Sequence, residues 1–274
     1  MKIKKGISTI ILNLITICTS LTFIVPLLVV LLNSFKTRAE ANTMTLKLPK
    51  VWAFDNFETV IERGKLFQSF FNSMLYATSG AVIIILLTSV AGFVLARNRT
   101  KVNKFIYYFI ILGIAMPINT VTLMKVMKTT NLVNTQLGII LIYVAINIPI
   151  SLFITYGFIG SIPVEIDEAA IIDGCSSRQL LIRIILPLLS PVMVTVFVLN
   201  FLGIWNDFTM PLYYLNNSSK WPMTLAVYNF FGVYENQWNL VSADIIVTIL
   251  PVLLIFIFAQ KYIVGGISAG AVKG

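Results

Sequence analysis

Histidine is absent from the 274 residues, and with it go the commonest general base, the usual zinc ligand and any HExxH motif. Cysteine occurs only twice, as Cys18 in an apolar run and Cys175 in a polar stretch. Their expected places, membrane and cytoplasm, imply no disulfide. No GxxxxGK[ST] sequence is present, so the chain has no P-loop to cradle nucleotide phosphates. Low-complexity tracts, Gly/Ser linkers and repeats with a period of roughly 20–50 residues are also missing. Charge is scarce, with 11% of residues charged against 58% hydrophobic and a mean hydropathy of +0.90. That balance lies outside the range of soluble domains and makes a bilayer the natural solvent.

What the sequence has in abundance is long uncharged apolar runs. A helix needs about 20 apolar residues to cross the roughly 30 Å hydrocarbon layer. Six stretches qualify: between Lys5 and Lys36, between Lys65 and Arg97, Phe105 to Met124, between Lys128 and Glu165, between Arg183 and Asp207, and between Asp244 and Lys261. The first is too long for a signal-peptide core and lacks a clear A-x-A site, so an uncleaved anchor is expected. The apolar residues form one membrane-embedded set, and a single domain over 1–274 is expected.

The net charge of +9 is explained by topology. Lys and Arg flank the apolar runs and do not interleave with exposed aromatics, which gives no support to a nucleic-acid partner. With the N-terminus inside, the cytoplasmic segments hold 11 of the 20 basic residues, and Arg97, Arg99, Lys101 and Lys104 form the densest group. Both termini are therefore expected in the cytoplasm.

The segment Ser161 to Gln179, between the fourth and fifth runs, specifies helix, turn and helix. Pro163 suits a first helical turn, and Glu165, Asp167 and Glu168 complement the positive end of the helix dipole. Gly174 supplies a left-handed terminator. Ser176 and Gln179 form a capping-box pattern for a second helix through Leu180, Leu181 and Ile184 towards Pro187. Ala169 and Ala170 leave backbone open to close approach, and Ile166 and Ile172 offer apolar anchors, as in a docking helix. The alternative is an amphipathic helix resting on lipid headgroups, although that role favours a basic polar face and this one is acidic.

The spacing Glu168-Ala169-Ala170, then Gly174, then Ile184-x-Leu186-Pro187 resembles the EAA loop of binding-protein-dependent ABC importer permeases. Asn33-Ser34-Phe35-Lys36, Asn72-Ser73, Ala96-Arg97, Trp205-Asn206-Asp207-Phe208, Gln260-Lys261-Tyr262 and Ala269 to Gly274 are similar to the maltose-type carbohydrate permeases, most of all to the MalG-like member of the permease pair. Ile263 and Ile267-Ser268 depart mildly from that family's usual residues.

The resemblance implies an all-α fold, a polytopic membrane helical bundle of about six transmembrane helices with a cytoplasmic coupling helix and core helices about 68–262. It implies a transport subunit of a bacterial inner membrane, not an enzyme. Its partners would be a second homologous permease, an ATP-binding cassette ATPase dimer, an extracellular or periplasmic sugar-binding protein and a carbohydrate substrate, a di- or oligosaccharide or related sugar. No cofactor would bind this chain; ATP and Mg would sit on the ATPase. Glu168, Ala169, Ala170, Asp173, Gly174, Ile184, Leu186 and Pro187 would couple to that ATPase, with Glu168 pairing a basic residue there.

Other residues have two readings each. Asn119, Asn147 and Asn200 sit in apolar runs, where polar side chains either line a path or bond neighbouring helices. Asp207 is a weaker path candidate, and Trp205 to Phe208 fits an interfacial aromatic anchor. Pro117, Pro149, Pro187 and Pro251 mark kinks that serve gating or packing. Gly266 and Gly270 match a helix-packing pattern that is taken as fortuitous in a polar tail. An ion-coupled transporter would need acids at mid-membrane depth, and Asp207 and Asp244 are expected to bound their runs. An embedded enzyme would need a nucleophile with a base, which the chain does not display. A non-transporting scaffold is opposed mainly by the EAA-like loop.

Overall fold

The computed structural model describes residues 2–231 and 236–271, with side chains described for 12–231, 236–257 and 260. The resemblance at Val272, Lys273 and Gly274 falls outside the described residues, and so do the side chains of Lys2, Lys4, Lys5, Lys261 and Tyr262. In chain order the helices are α1 (Lys2–Ser34), α2 (Arg38–Ala41), α3 (Asp55–Arg63), α4 (Leu66–Arg97), α5 (Lys101–Ile111), α6 (Thr120–Thr129), α7 (Gln136–Ser161) and α8 (Glu165–Ile172). There follow α9 (Ser177–Leu188), α10 (Ser190–Asn206), α11 (Thr209–Tyr214), α12 (Met223–Ala226) and α13 (Trp238–Ala271). Among the described residues the only strand-like feature is an isolated bridge between Phe231 and Asn236.

Four helices are long and apolar enough to cross a membrane: α1, α4, α7 and the part of α13 from Trp238 to Ile257. The pair α9 and α10 qualifies together, bent by 70°. The bend falls between Pro187 and Pro191, whose missing N–H groups leave the helical ladder incomplete. The third predicted run is not one helix. It divides into α5 with a 3₁₀ turn at Leu112–Ile114, a non-helical stretch, and α6. Pro117 disfavours helix at Met116, and Asn119 restarts it by accepting the Thr122 N–H at 2.9 Å. At about 1.5 Å per residue, neither α5 nor α6 alone spans a bilayer.

The last run also differs from expectation. Helix α13 begins at Trp238, so Asp244 lies inside it and is 1% exposed. In the sequence the acid reads as a boundary, because charge normally marks the end of a span. The same helix continues to Ala271, so Gly266 and Gly270 lie on helical backbone.

Contacts divide the chain into two compact units. The first comprises the residues up to Phe67 together with Ala226–Pro251. Its core joins Val60 and Leu66 to Phe230, Leu240, Val241 and Ala243. Beside Lys36 runs a buried polar chain. The Lys36 ammonium donates to Asn33 Oδ1 at 2.8 Å and to the Thr45 carbonyl at 2.6 Å. Asn56 donates to the Ser34 and Lys36 carbonyls, each at 2.9 Å, and accepts from Asn239 at 2.8 Å. Burial deprives the Lys36 ammonium of hydration and lowers its pKa below the usual 10.5, with Glu40 opposing the shift.

The second unit comprises Gln68–Leu225 and the chain from Val252 onward. Buried residues of α4 (Ala77, Ala81, Ile84), α7 (Ile139, Leu152, Ile159) and α10 (Val196, Ile204, Trp205) form its interior. At Gly80 an added Cβ would lie 2.8 Å from Ile204 Cδ1, so the end of the Ile204 side chain of α10 fills the space beside this glycine of α4. Trp205 is no interfacial anchor. It is 1% exposed, with its ring 5.9 Å from Phe70 and 5.7 Å from Phe201, because aromatic packing absorbs an indole as readily as an interface does.

Candidate functional site

The segment that follows α7 folds as its local chemistry dictates. Glu165, Asp167 and Glu168 fill the first turn of α8, where the dipole favours acids. Pro163 lies just before the helix, and its carbonyl accepts the Ile166 N–H at 3.4 Å. Gly174 adopts φ +84°. The Gly174 N–H donates to Ile171 O at 3.0 Å and the Cys175 N–H to Ala170 O at 2.9 Å, the paired bonds of a Schellman terminator. A Cβ at Gly174 would meet nothing within 4 Å, so the glycine is required by its backbone angle and not by crowding inside this chain.

Ser176 then opens α9 with a complete capping box, Gln179 Oε1 accepting the Ser176 N–H at 2.8 Å. From Leu180 to Ile185 the helix widens to π geometry. Pro187 explains it, since it cannot donate to Arg183 O and its ring would press on that carbonyl in a normal turn.

Helix periodicity decides which coupling candidates are outward. Asp167 and Ala170 are buried, three residues apart on one face, whereas Glu168, Ala169, Asp173 and Gly174 are exposed. Ala170 therefore packs within the chain and does not offer an open surface. Ile171 and Ile172 are exposed at 61% and 84%. Ile184 and Leu186 are half-buried and Pro187 is exposed, one turn and more beyond the capping box.

Sequence reasoning missed the residue that holds α8. Arg97, at the end of α4, places Nε 2.6 Å from Asp167 Oδ2, and its Nη2 donates to Ile162 O at 3.1 Å and to Asp167 Oδ1 at 3.3 Å. The pair joins positions 70 residues apart, with side-chain exposures of 13% and 9%. Asp167 was legible as a helix-start acid; its partner had no local signal.

The four path candidates do not assemble into one site. Asn119 is an exposed N-cap. Asn200 is buried and bridges α10 to α7 through Ser151 Oγ at 2.9 Å. Asn147 donates to Tyr143 O at 2.8 Å, and the Tyr143 hydroxyl donates to Asp207 Oδ2 at 2.9 Å, which brings these two candidates together. Asp207 also accepts from the Thr209 and Met210 N–H groups at 3.1 and 3.0 Å, capping α11. An open groove of 490 Å³ lies elsewhere, along α6 beside Lys125, Lys128 and Tyr213, and none of the four lines it. The Asn72-Ser73 pair is structural: Asn72 donates to the Ser219 and Trp221 carbonyls at 2.9 and 3.1 Å, and Ser73 accepts the Met223 N–H at 2.9 Å.

Comparison with known proteins places this architecture. The family described as "Binding-protein-dependent transport system inner membrane component" matches residues 88–268. A "Probable starch degradation products transport system permease protein" of Thermoanaerobacterium thermosulfurigenes is 34% identical over 98% of this chain and 99% of its own length. The diacetylchitobiose uptake system permease protein of Streptomyces coelicolor is 34% identical over 93% of this chain and 85% of its own. The melibiose/raffinose/stachyose import permease protein of Bacillus subtilis is 33% identical over 96% of each. In fold, the chain is similar to a chain of a bacterial ABC transporter involved in import of the acidic polysaccharide alginate, with a TM-score of 0.81 at 20% identity over 93% of this chain and 96% of that one. The chain is a multi-pass inner-membrane protein and belongs to the family of binding-protein-dependent transport system inner membrane components.

Proposed function

We propose that this chain is the permease subunit of an ATP-driven carbohydrate importer, forming half of the translocation path and taking its energy from a separate ATPase. The observation that carries the coupling role is the construction of α8. It exposes Glu168, Ala169 and Ile172 and ends in the left-handed Gly174, while its inner face is tied to α4 through Arg97 and Asp167. A helix so presented and so tethered suits docking into a cleft of the ATPase, and transmits a rigid-body push. Burying an Ile side chain there contributes about 1.5–3 kcal/mol, against about 0–1 for an exposed Glu168 ion pair.

In this reading α8 and both termini face the cytoplasm, and the whole chain is one permease domain. It crosses the membrane six times when α5 with α6, and α9 with α10, count as broken spans. A second homologous permease completes the path, a sugar-binding protein delivers a di- or oligosaccharide, and ATP and Mg are held by the ATPase dimer. ATP binding closes that dimer, and the pair of permeases exchanges inward-facing for outward-facing states. Asn147 and Asp207, joined through Tyr143, are the stronger path candidates. Asn119 and Asn200 are explained by capping and by helix pairing.

The test is co-purification of an ATPase subunit from mildly solubilised membranes, comparing the native chain with Gly174→Asp. Recovery with the native chain and loss with the variant supports the coupling surface. Failure to recover any ATPase from the native chain, even after gentle cross-linking, refutes it.

A further inference from the structure

We propose that residues 45–54 form an interfacial strap whose side chains enter the phospholipid layer at the level where α1 leaves the membrane. From Leu12 to Ser34, α1 has 23 residues. At about 1.5 Å each they exceed the roughly 30 Å hydrocarbon layer, so Phe35 and Lys36 emerge among the lipid headgroups. The strap is pinned to these two residues at both ends. The Lys36 ammonium donates to Thr45 O at 2.6 Å, and the Ala53 N–H donates to Phe35 O at 2.8 Å. The Trp52 and Phe54 rings lie 5.5 and 5.4 Å from the Phe35 ring.

Much of what the strap leaves uncovered is apolar. Leu46, Leu48, Val51, Trp52 and Phe54 are all exposed, Leu48 at 70% and Trp52 at 49%. A patch of this kind marks a contact with a protein or a membrane, and charge selects the membrane. Lys47 and Lys50 are exposed among these residues, and neither ammonium has a hydrogen bond or ion pair among the described residues. Rings and aliphatic side chains interleaved with lysines suit a phospholipid boundary, the apolar groups entering it while the lysine stems carry their charge to the phosphates. The backbone sets the depth. Residues 42–54 are not helical, and irregular backbone is excluded from the hydrocarbon core, so the strap lies along the headgroups with only side chains inserted. It thereby fixes the depth and tilt of α1, whose most apolar window is not buried anywhere within this chain. The inference rests on the membrane spans and does not depend on the proposed coupling surface or on the direction in which α1 crosses.

The experiment measures tryptophan emission of the full chain reconstituted into phosphatidylcholine/phosphatidylglycerol vesicles, with dibrominated phosphatidylcholine in the bilayer or acrylamide in the water as quencher. Native emission minus that of Trp52→Phe isolates the Trp52 component. Brominated lipid should lower this component at least twofold, with acrylamide the weaker quencher. Equal or stronger quenching by acrylamide overturns the proposal and leaves the patch as a water-facing surface for a soluble partner. Quenching by neither overturns it in favour of a protein cover. If Trp52→Phe does not fold, Leu48→Cys carrying an environment-sensitive fluorophore replaces it, in a chain with Cys18→Ala and Cys175→Ser. Brominated lipid should quench that label, and emission matching the free dye in water overturns the strap.

Discussion

Replacing Arg97 by Met tests whether α8 is held by one buried ion pair. At 2.6 Å the two charges attract by about 6 kcal/mol at an effective dielectric of about 20, before either is charged the cost of leaving water. Desolvation offsets most of that attraction, so the intact pair is worth little compared with apolar residues of the same shape. Deleting one partner is different, because Asp167 would remain 9% exposed with its charge uncompensated. The expected cost is about 3–5 kcal/mol, eased somewhat by the N-terminal dipole of α8. Each kcal/mol lowers Tm by roughly 2–4 °C in a chain of this size. The assay is a double-mutant cycle on Tm and on uptake in membrane vesicles. Arg97→Met should lose both stability and transport, and adding Asp167→Leu should restore much of the stability while uptake stays low. Equal stability of Arg97→Met and native protein, or no recovery in the double variant, refutes the reasoning.

Two further outcomes are expected. The lowered pKa of Lys36 means that the unfolded chain holds a proton that the folded chain has already released, over the window between the lowered value and 10.5. Folded stability therefore rises with pH through that window, and Lys36→Met should flatten this part of a Tm-against-pH curve; an unchanged slope counts against the burial argument. Asn200→Ala should lower stability by roughly 0.6–1.7 kcal/mol by removing the bond to Ser151, with the preference among sugars unchanged. A changed sugar preference in uptake competition would return Asn200 to the translocation path.

The helix class, the apolar spans and the turn at Gly174 were legible because each rests on near-neighbour chemistry: run length, dipole complementarity, a capping box and a left-handed glycine. What escaped the sequence was set by partners distant in the chain. Nothing beside Arg97 points to Asp167, and nothing beside Trp205 announces Phe70. Asp244 misled in the opposite sense, because charge is a good marker of helix ends until an acid is buried within one. The break at Pro117 was visible as a proline, but whether a proline kinks or divides a helix depends on what its neighbours pack against. The site residues split along the same line: exposure of Glu168 and Gly174 follows from periodicity, whereas the inward turn of Ala170 needed the rest of the fold.

Helix α1 unites two very different demands on sequence. Between Leu12 and Ser34 no part of its most apolar window is buried within this chain, while Asn33, Ser34 and Lys36 at its foot are almost wholly enclosed. Mutational drift should therefore be permissive along the shaft, where any apolar side chain of suitable length serves, and strict at the foot, where Asn33 and Lys36 must match particular acceptors and donors. A chimaera carrying a foreign apolar shaft on this native foot should still fold, and the reciprocal exchange should not.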